Sequence, residues 1–254
     1  MSGKTSHLLY IIVKSVEKAA SRLVRDFGEL EKLQVSRKGF RDFVTSADRN
    51  TETRLVYELS QAFPEYSFLC EESGFIERDS KTMVWIVDPI DGTNNFMRGI
   101  PVFAINVAMM DNDDVLAGVT YDPMRGDCFK AEKGRGAYLG NRSRIRVSRR
   151  EQISEAVVAV HVPQETDLML AKDGAIIRRT GSVALDLAYL AAGKYDAVVA
   201  EDVQTWDIAS GRILIQEAGG FMEIKKQQES ESYDIIAASS SKLLNYIKSH
   251  ACNF

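Results

Sequence analysis

The order of the predicted strands and helices constrains the fold of this chain more than any other feature. Strands at residues 103–110 and 115–121 are joined by a tight polar turn at 111–114. After about residue 150, strands alternate with helices. The predicted strands lie at 157–162, 195–200, 220–224 and 233–238, and the helices at 183–192, 207–217 and 240–248. Hairpins followed by such alternation predict an α/β fold in which helices cover sheets.

The N-terminal region is predicted to hold two helices. Apolar residues recur every three or four positions from Leu8 to Phe27, which predicts a helix that ends near Gly28. A second helix is predicted from Asp48 to Ala62, since Pro64 lacks the backbone N–H that would continue it. Strands follow at 67–70 and 83–87.

Composition and the absence of linkers favour one folded unit. Of 254 residues, 45% are hydrophobic and 27% charged, which excludes disordered and fibrous classes. No repeat or low-complexity segment separates the two halves. We therefore predict a single catalytic unit over residues 1–254, with a metal- and phosphate-binding lobe at 1–140 and a substrate lobe at 141–254.

Charge and cysteine content bear on partners and compartment. A net charge of −4 gives no general attraction to nucleic acid or anionic membranes. Cys70, Cys128 and Cys252 lie far apart, so a disulfide framework or a thiolate zinc site is not expected. The apolar run at residues 8–13 is too short for a membrane span or a signal peptide. We expect a soluble, cytoplasmic protein.

Acidic residues fall at the ends of predicted elements, where side chains from separate segments can converge on one cleft. Such a cluster would repel itself strongly without cations. Because no His or Cys shares these positions, the donors are all oxygen, which favours Mg²⁺ over zinc. The acidic residues are Asp48, Glu71, Glu72, Asp88, Asp91 and Asp207.

The segment from Asp88 to Asn94 has residues that could bind a metal ion and backbone amides that could bind a phosphate group. Pro89 fixes the turn between Asp88 and Asp91 and leaves the Ile90 carbonyl free to point inward. Gly92 allows close backbone approach, and amides at a helix start favour a phosphate oxygen. Together they indicate phosphoryl transfer to water.

Each of these patterns also has a purely structural explanation, since Asp-Gly is common in turns and Asp is a common helix cap. The functional interpretation therefore depends on their combination. The segment from Asp111 to Val115 matches the Asp-x-Asp-x-Thr/Val pattern of phosphatases that form an aspartyl-phosphate. However, a second strand follows it at once, without a helix between. We interpret it as a hairpin turn.

Four segments together resemble the inositol monophosphatase family. Residues 85–96 (Trp-Ile-Val-Asp-Pro-Ile-Asp-Gly-Thr-Asn-Asn-Phe) resemble its first signature, and residues 206–211 (Trp-Asp-Ile-Ala-Ser-Gly) with 217–220 (Glu-Ala-Gly-Gly) its second. Residues 71–73 and 42–48 also match, and the resemblance covers nearly the whole chain. It implies a layered α-β-α-β-α sandwich, lithium inhibition and a homodimer.

The resemblance also implies how Mg²⁺ is held, with two to three ions per subunit. Glu71, Asp88 and the Ile90 carbonyl would hold the first ion. Asp88, Asp91 and Asp207 would hold a second, and a weaker third would lie near Glu71.

Catalytic and substrate roles follow from the same resemblance. Thr93, paired with Asp48, would orient the attacking water and help to deprotonate it, with Glu71 as the third catalytic residue. Amides of Gly92 and Thr93 would hold the phosphate, and Glu72 would support the site from outside. The predicted substrate-binding residues are Asp91, Gly92, Thr93, Gly181, Ser182, Val183, Glu201 and Asp207.

One departure concerns substrate specificity. Typical members carry an acidic residue seven positions before the metal-binding Asp, where this chain has Ala200. Glu201, one residue later, is the candidate replacement. Myo-inositol 1-phosphate is the predicted substrate, while 3′,5′-bisphosphonucleotides and fructose 1,6-bisphosphate remain open.

Five arginines lie within nine residues that contain no acid. Alternation with apolar residues favours an edge strand with its arginines outward, which resists pairing with other sheets. The alternative is a surface that binds RNA or an acidic partner, since bacterial members of the resembled family include proteins associated with RNA processing and transcription. The arginines are Arg142, Arg144, Arg146, Arg149 and Arg150.

Overall fold

Two sheets lie between three layers of helices in the computed structural model, which describes residues 6–33, 37–141, 143–162, 164–228 and 230–250. Helices α1 (His7–Leu33) and α2 (Arg37–Ala62) pack against each other and cover one face of the first sheet. Apolar side chains of α1, among them Ile12, Val16 and Leu23, are fully buried against it.

The first sheet has eight strands in the order β2-β1-β3-β4-β5-β6-β7-β8. Strands β1 and β3 are parallel, and the other neighbouring pairs are antiparallel. The strands are β1 (Ser67–Cys70), β2 (Gly74–Ile76), β3 (Met83–Asp91), β4 (Ala104–Asp111), β5 (Asp114–Asp122), β6 (Asp127–Glu132), β7 (Gly136–Leu139) and β8 (Ser143–Ile145).

The second sheet has five strands in the order β10-β9-β11-β13-β12, with β9 parallel to both of its neighbours. Between the two sheets lie α5 (Val183–Ala191) and α6 (Thr205–Ala218). The outer face carries α4 (Gln164–Lys172) and α7 (Ser241–His250), and the short α3 (Thr93–Met97) follows β3. The strands are β9 (Val157–His161), β10 (Ile176–Arg178), β11 (Ala197–Val203), β12 (Phe221–Lys226) and β13 (Tyr233–Ala238).

This order of layers confirms the predicted α-β-α-β-α sandwich. Helix α6 forms its centre, because Ile213 and Leu214 are buried between the two sheets. No helix in the described ranges has a stretch long and apolar enough to cross a membrane. Cys70 and Cys128 are buried free thiols, and burial raises the pKa of each to about 12, while Cys252 lies outside the described residues.

Two predicted helix boundaries were wrong. Helix α1 continues through Gly28 to Leu33, because a glycine weakens a helix by about 1 kcal/mol without ending it. Helix α2 begins at Arg37, so Asp48 lies inside the helix instead of opening it. Gly39, Val44 and Thr45 have low helix propensity and hid this first part of α2, whereas the predicted end at Ala62 is confirmed.

Strand β3 was predicted to end at Val87, but it runs to Asp91. Its register against β4 shifts between Asp88 and Asp91, which marks a bulge. Such an irregularity accommodates Pro89, which has no N–H to donate to the ladder. The strand predicted at 195–200 also runs further, to Val203, through a second bulge.

Candidate active site

Three carboxyl groups from separate elements meet between the first sheet and α6. Asp88 and Asp91 come from the bulge of β3, and Asp207 comes from the first turn of α6. One oxygen of each lies within 4.8 Å of the others. Asp88 and Asp91 are buried and Asp207 is partly buried, so the structure brings together three of the predicted metal ligands.

Hydrogen bonds hold each of these carboxylates in place. Asp88 Oδ1 accepts from the Ile90 N–H at 3.0 Å, which folds the bulge back on itself. Asp207 Oδ2 accepts from the N–H of Gln204 at 2.7 Å as part of a capping box at the start of α6. Each of these two bonds uses one oxygen of its carboxylate.

Glu71 joins this group from the end of β1. Its backbone N–H donates to the Val87 carbonyl at 3.1 Å, and its carboxyl group shares a hydrogen bond with Asp88. The carboxylate of the next residue, Glu72, lies 3.5 Å from Arg49 in an ion pair.

The loop after β1 is fixed by Glu52, a buried residue that the sequence analysis did not select. Its carboxylate accepts from the Glu72 N–H at 2.8 Å and the Ser73 hydroxyl at 2.5 Å. Glu52 lies four residues after Asp48, on the same side of α2. The four-residue spacing from Asp48 is the sequence signal that could have identified Glu52.

The crowded acids repel one another and lose hydration. Burial, followed by the neighbouring negative charges, raises the pKa values of Asp88 and Asp91 well above normal. Burial raises the pKa of Asp207 to about 6, and the hydrogen bond from the Gln204 N–H partly offsets this rise. Glu71 is an exposed residue whose carboxyl group faces Asp88, and loss of hydration there raises its pKa to about 7.

Asp48 faces the same acids from α2. Burial, followed by the charges of Glu71, Glu72 and Glu52, raises its pKa to about 8. Its Oδ1 atom is buried without a hydrogen-bond partner among the described residues. The buried Asp48 oxygen and the converging carboxylates all need a positive partner to compensate their charge. A hard divalent cation, which binds oxygen ligands, would supply it.

The turn at Gly92 places backbone amides beside these acids. Gly92 has a φ of 93°, and a Cβ atom there would lie 3.0 Å from the Val102 carbonyl oxygen, so the position requires glycine. Helix α3 begins at Thr93, where the first amides have no partner within the helix. The Thr93 hydroxyl donates to the Ile90 carbonyl at 2.9 Å.

Two asparagines that the sequence analysis did not select position the site. Asn95 donates to the carbonyls of Val102 at 2.7 Å and Thr180 at 2.8 Å, and so links the Gly92 turn to the loop before α5. Asn106 on β4 donates to the Trp206 carbonyl at 2.5 Å. It therefore anchors the start of α6, and with it Asp207, to the first sheet.

The predicted substrate residues lie in two loops. Gly181 has a φ of 85°, and Ser182 caps α5, where Val183 begins the helix. Glu201 lies in the bulge of β11, between the register pairs of Ala200 and Val203. Asp202 in that bulge has a φ of 58°, and its N–H donates to Asp234 at 3.2 Å.

The arginine-rich segment lies away from this site. Strand β8 lies at one edge of the first sheet, so the predicted edge strand is confirmed for Arg144, whereas Arg146, Arg149 and Arg150 follow the strand; all four side chains are exposed. Arg150 lies 3.3 Å from the buried Asp196. Arg142 lies outside the described residues. Asp111 and Asp114 pair in the hairpin between β4 and β5, as predicted.

Comparisons with known proteins agree with this geometry. The family model of the inositol monophosphatase family matches residues 4–253. The inositol-1-monophosphatase of Caulobacter vibrioides is 43% identical over 241 residues, which are 90% of this chain and 93% of that protein. The putative Nus factor SuhB of Neisseria meningitidis serogroup B is 35% identical over 247 residues, 92% of this chain and 94% of that protein.

Solved structures share the same architecture. The extragenic suppressor protein suhB from Bartonella henselae superposes with a TM-score of 0.85 at 35% identity, covering 96% of this chain and 99% of that one. The inositol monophosphatase from Anabaena has a TM-score of 0.80 at 27% identity, with 95% and 94% covered. The prediction from the two long motifs is thereby confirmed: the chain belongs to the inositol monophosphatase family.

Proposed function

We propose that this protein is a Mg²⁺-dependent phosphatase that hydrolyses a small polyol phosphate, myo-inositol 1-phosphate, to the free polyol and phosphate. The observation that carries the proposal is the meeting of Asp88, Asp91 and Asp207 within 4.8 Å, beside the Gly92 turn. The name of the relatives at 42–43% identity, inositol-1-monophosphatase, supports the substrate.

The residues that would hold two to three Mg²⁺ ions are Glu71, Asp88, Asp91, Asp207 and the Ile90 carbonyl. When bound, such ions lower the pKa of a bound water and neutralise a leaving oxygen. The clustered carboxylates suit Mg²⁺ because too few positive groups in the described part of the protein lie near them to compensate their negative charge.

The chain's own groups bind the phosphate and move the proton. The amides of Gly92 and Thr93 would hold phosphate oxygens, as free helix-start amides do for anions. Asp48 would help to deprotonate the attacking water, and Glu71 would lie beside it as a ligand of the metal; their pKa values of about 8 and about 7 are those of the metal-free protein, and bound cations would lower both. Thr93 would orient the attacking water between them.

The polyol would lie between the start of α5 and the end of β11. Gly181, Ser182 and Val183 would border its ring, and Glu201 would bind its hydroxyl groups in place of an acid at position 200. The bulge of β11 supports this role, since one extra residue changes which side chain faces the cleft.

A substrate panel tests the proposal. Phosphate release would be measured from myo-inositol 1-phosphate, fructose 1,6-bisphosphate and a 3′,5′-bisphosphonucleotide, each with Mg²⁺ and with EDTA. We expect the highest kcat/KM for inositol 1-phosphate and no release in EDTA. Absence of Mg²⁺-dependent release from every substrate would overturn the proposal.

Three further properties complete the proposal: inhibition by lithium, a homodimer and a cytoplasmic location. Lithium in the same assay tests the first, and sedimentation equilibrium of the purified protein tests the second. A fluorescent fusion of the chain, observed in cells, tests the third.

A second candidate function is binding of RNA or an acidic protein through exposed arginines. Its support is the exposure of Arg144, Arg146 and Arg149 beside an edge strand, together with relatives named Nus factor SuhB. Binding should weaken with salt, disappear when all three are changed to Glu and survive in Asp207→Asn. Binding without salt dependence would exclude it.

A further inference from the structure

His161 and Asp186 form a hydrogen-bonded pair beside the candidate active site. His161 is the last residue of β9, with a side chain 16% exposed, and its Nε2 atom lies 2.7 Å from Asp186 Oδ2. Asp186 on α5 is fully buried, and the Thr180 hydroxyl donates to the same oxygen at 2.7 Å. The imidazole is therefore held in one orientation from inside the protein.

The pair determines which ring nitrogen carries the proton. An ionised carboxylate can only accept hydrogen bonds, so the Nε2 atom of His161 is the donor. Nδ1 of the neutral ring is then an acceptor. Among the residues that the structure describes, none makes a hydrogen bond to this atom.

The imidazole faces the layer of helices that carries the site. His161 pairs with Ala200 across the parallel strands β9 and β11, so the two side chains lie on the same face of the sheet. Ala200 on that face packs in the apolar cluster that contains Ile208 of α6. Ala200 is small and has no polar side-chain atom, so His161 supplies the polar side chain on this part of the sheet face.

Two connections tie His161 to the acids. The imidazole lies close enough to Asp207 for the two side chains to interact electrostatically. Thr180 donates to Asp186 and accepts from the N–H of Ser182 at 3.3 Å, and the Ser182 hydroxyl donates to Asp91. The imidazole thus lies at the end of a hydrogen-bonded path that begins at the metal-binding acids.

We propose that His161 is a specificity-determining residue whose Nδ1 atom accepts a hydrogen bond from a hydroxyl group of the polyol. Asp186 is its positioning residue. The inference rests on the proposed phosphatase function and adds a contact to it: the substrate is a phosphate ester that carries a second hydroxyl group.

Two substitutions separate the contact to substrate from the contact to Asp186. The amide of Asn occupies the position of Nδ1, and the amide of Gln occupies that of Nε2. His161→Asn therefore keeps a polar atom toward the cleft, and His161→Gln keeps the partner of Asp186. Both variants and the wild type would be assayed with Mg²⁺ on myo-inositol 1-phosphate and on phenyl phosphate, which has no hydroxyl group outside its phosphate.

We expect His161→Gln to raise KM for inositol 1-phosphate about tenfold, the effect of one lost hydrogen bond, with kcat within about twofold. His161→Asn should raise it no more than about threefold. Neither variant should change KM for phenyl phosphate. Equal KM values for inositol 1-phosphate in the two variants, or a higher value in the Asn variant, would overturn the inference.

Failure of the proposed function is a different result, namely no Mg²⁺-dependent release from either substrate by the wild type. The protonation state of His161 can also be measured without turnover, from the ¹⁵N chemical shifts of the imidazole nitrogens. The chain has three histidines, so the spectrum is simple to assign. The resonances lost in His161→Asn identify this ring. We expect the tautomer protonated at Nε2, and protonation of the neutral ring at Nδ1 would also overturn the inference.

Discussion

Ser182 donates its side-chain hydroxyl to Asp91, which lies 91 residues earlier in the chain, and so joins the start of α5 to the bulge of β3. The same carboxylate oxygen accepts from the Ala184 N–H at 3.1 Å. Burial and the charge of Asp207 raise the pKa of Asp91, and these two hydrogen bonds lower it. Ser182 therefore favours the ionised form of Asp91, which a cation requires.

Ser182→Ala should weaken Mg²⁺ binding at neutral pH, because a higher pKa for Asp91 makes protons compete with the ion. We expect a several-fold higher Mg²⁺ concentration for half-maximal phosphate release at pH 7, and a smaller difference at pH 9. Loss of the helix cap should also reduce the free energy of unfolding by about 1 kcal/mol. Ser182→Thr, which keeps the hydroxyl, is the control, and an unchanged Mg²⁺ dependence in Ser182→Ala would contradict the role of this bond.

The metal-free protein should lose stability as pH rises. The raised pKa values of Asp207 (about 6), Glu71 (about 7) and Asp48 (about 8) mean that the folded state binds protons more tightly than the unfolded state. The stabilisation is complete below about pH 4 and is lost as pH rises through 6 to 8. In EDTA, Tm should fall by at least about 5 °C between pH 5.5 and pH 8.5.

Mg²⁺ should reverse this loss, because the ion replaces the protons in neutralising the carboxylates. The rise in Tm on adding Mg²⁺ should be larger at pH 8.5 than at pH 5.5. Asp48→Asn removes one of the titrating groups and should flatten the metal-free curve. A metal-free Tm that rises from pH 5.5 to pH 8.5 would be the opposite result.

Two glycine substitutions should act in opposite directions. In α6, a Cβ atom at Gly211 would lie 2.5 Å from Cδ1 and 2.9 Å from Cβ of Leu187 on α5. Gly211→Ala should force the two helices apart and lower the free energy of unfolding by about 1–3 kcal/mol, despite its better helix propensity. Gly28→Ala in α1, where a Cβ atom would meet nothing within 4 Å, should raise it by about 0.5–1 kcal/mol. Urea denaturation measures both, and equal signs would contradict the packing described.

Asn106→Ala should destabilise the protein and its metal site together. The Asn106 Oδ1 atom accepts from Thr120 at 3.0 Å and from Ser210, and all three residues are buried. Loss of both the acceptor and the bond to the Trp206 carbonyl should cost roughly 1–3 kcal/mol. The start of α6 would loosen, so a higher Mg²⁺ concentration should be needed for activity.

Asn50→Ala, on the exposed surface of α2, is the matched control and should change stability by no more than about 0.5 kcal/mol. Thermal denaturation and Mg²⁺ titration of the two variants provide the comparison. If Asn106→Ala behaved like Asn50→Ala in both, Asn106 would not anchor α6.

Strands and helices with clear hydrophobic periodicity were predictable from sequence. Strand β13 was placed at its observed limits, and the hairpin of β4 and β5 within one residue. The start of α2 was not predicted: Phe40, Phe43, Val44 and Ala47 have helical spacing, but Gly39, Val44 and Thr45 lower the helix propensity of this segment. Propensity and spacing describe local order only, and a segment of low helix propensity can still be helical in the folded chain.

The site was partly predictable for a related reason. Acids at the ends of elements signalled Asp88, Asp91 and Asp207, which the structure brings together. Asn106 and His161 gave no such signal, because their partners lie 100 and 25 residues away along the chain. A residue that acts through a distant hydrogen bond becomes visible only when the fold places the two partners side by side.

The most direct test of the account is phosphate release from myo-inositol 1-phosphate in Mg²⁺ by three purified variants. Asp91→Asn and Asp207→Asn each remove one charge from the acid cluster, whereas Asp111→Asn removes one from the β4–β5 hairpin. We predict that the first two lose at least about 100-fold in kcat/KM, since supporting and ligating groups of a metal site commonly matter that much. Asp111→Asn should retain wild-type activity. Activity in Asp207→Asn equal to that of Asp111→Asn would contradict the central claim that this cluster holds the catalytic metal.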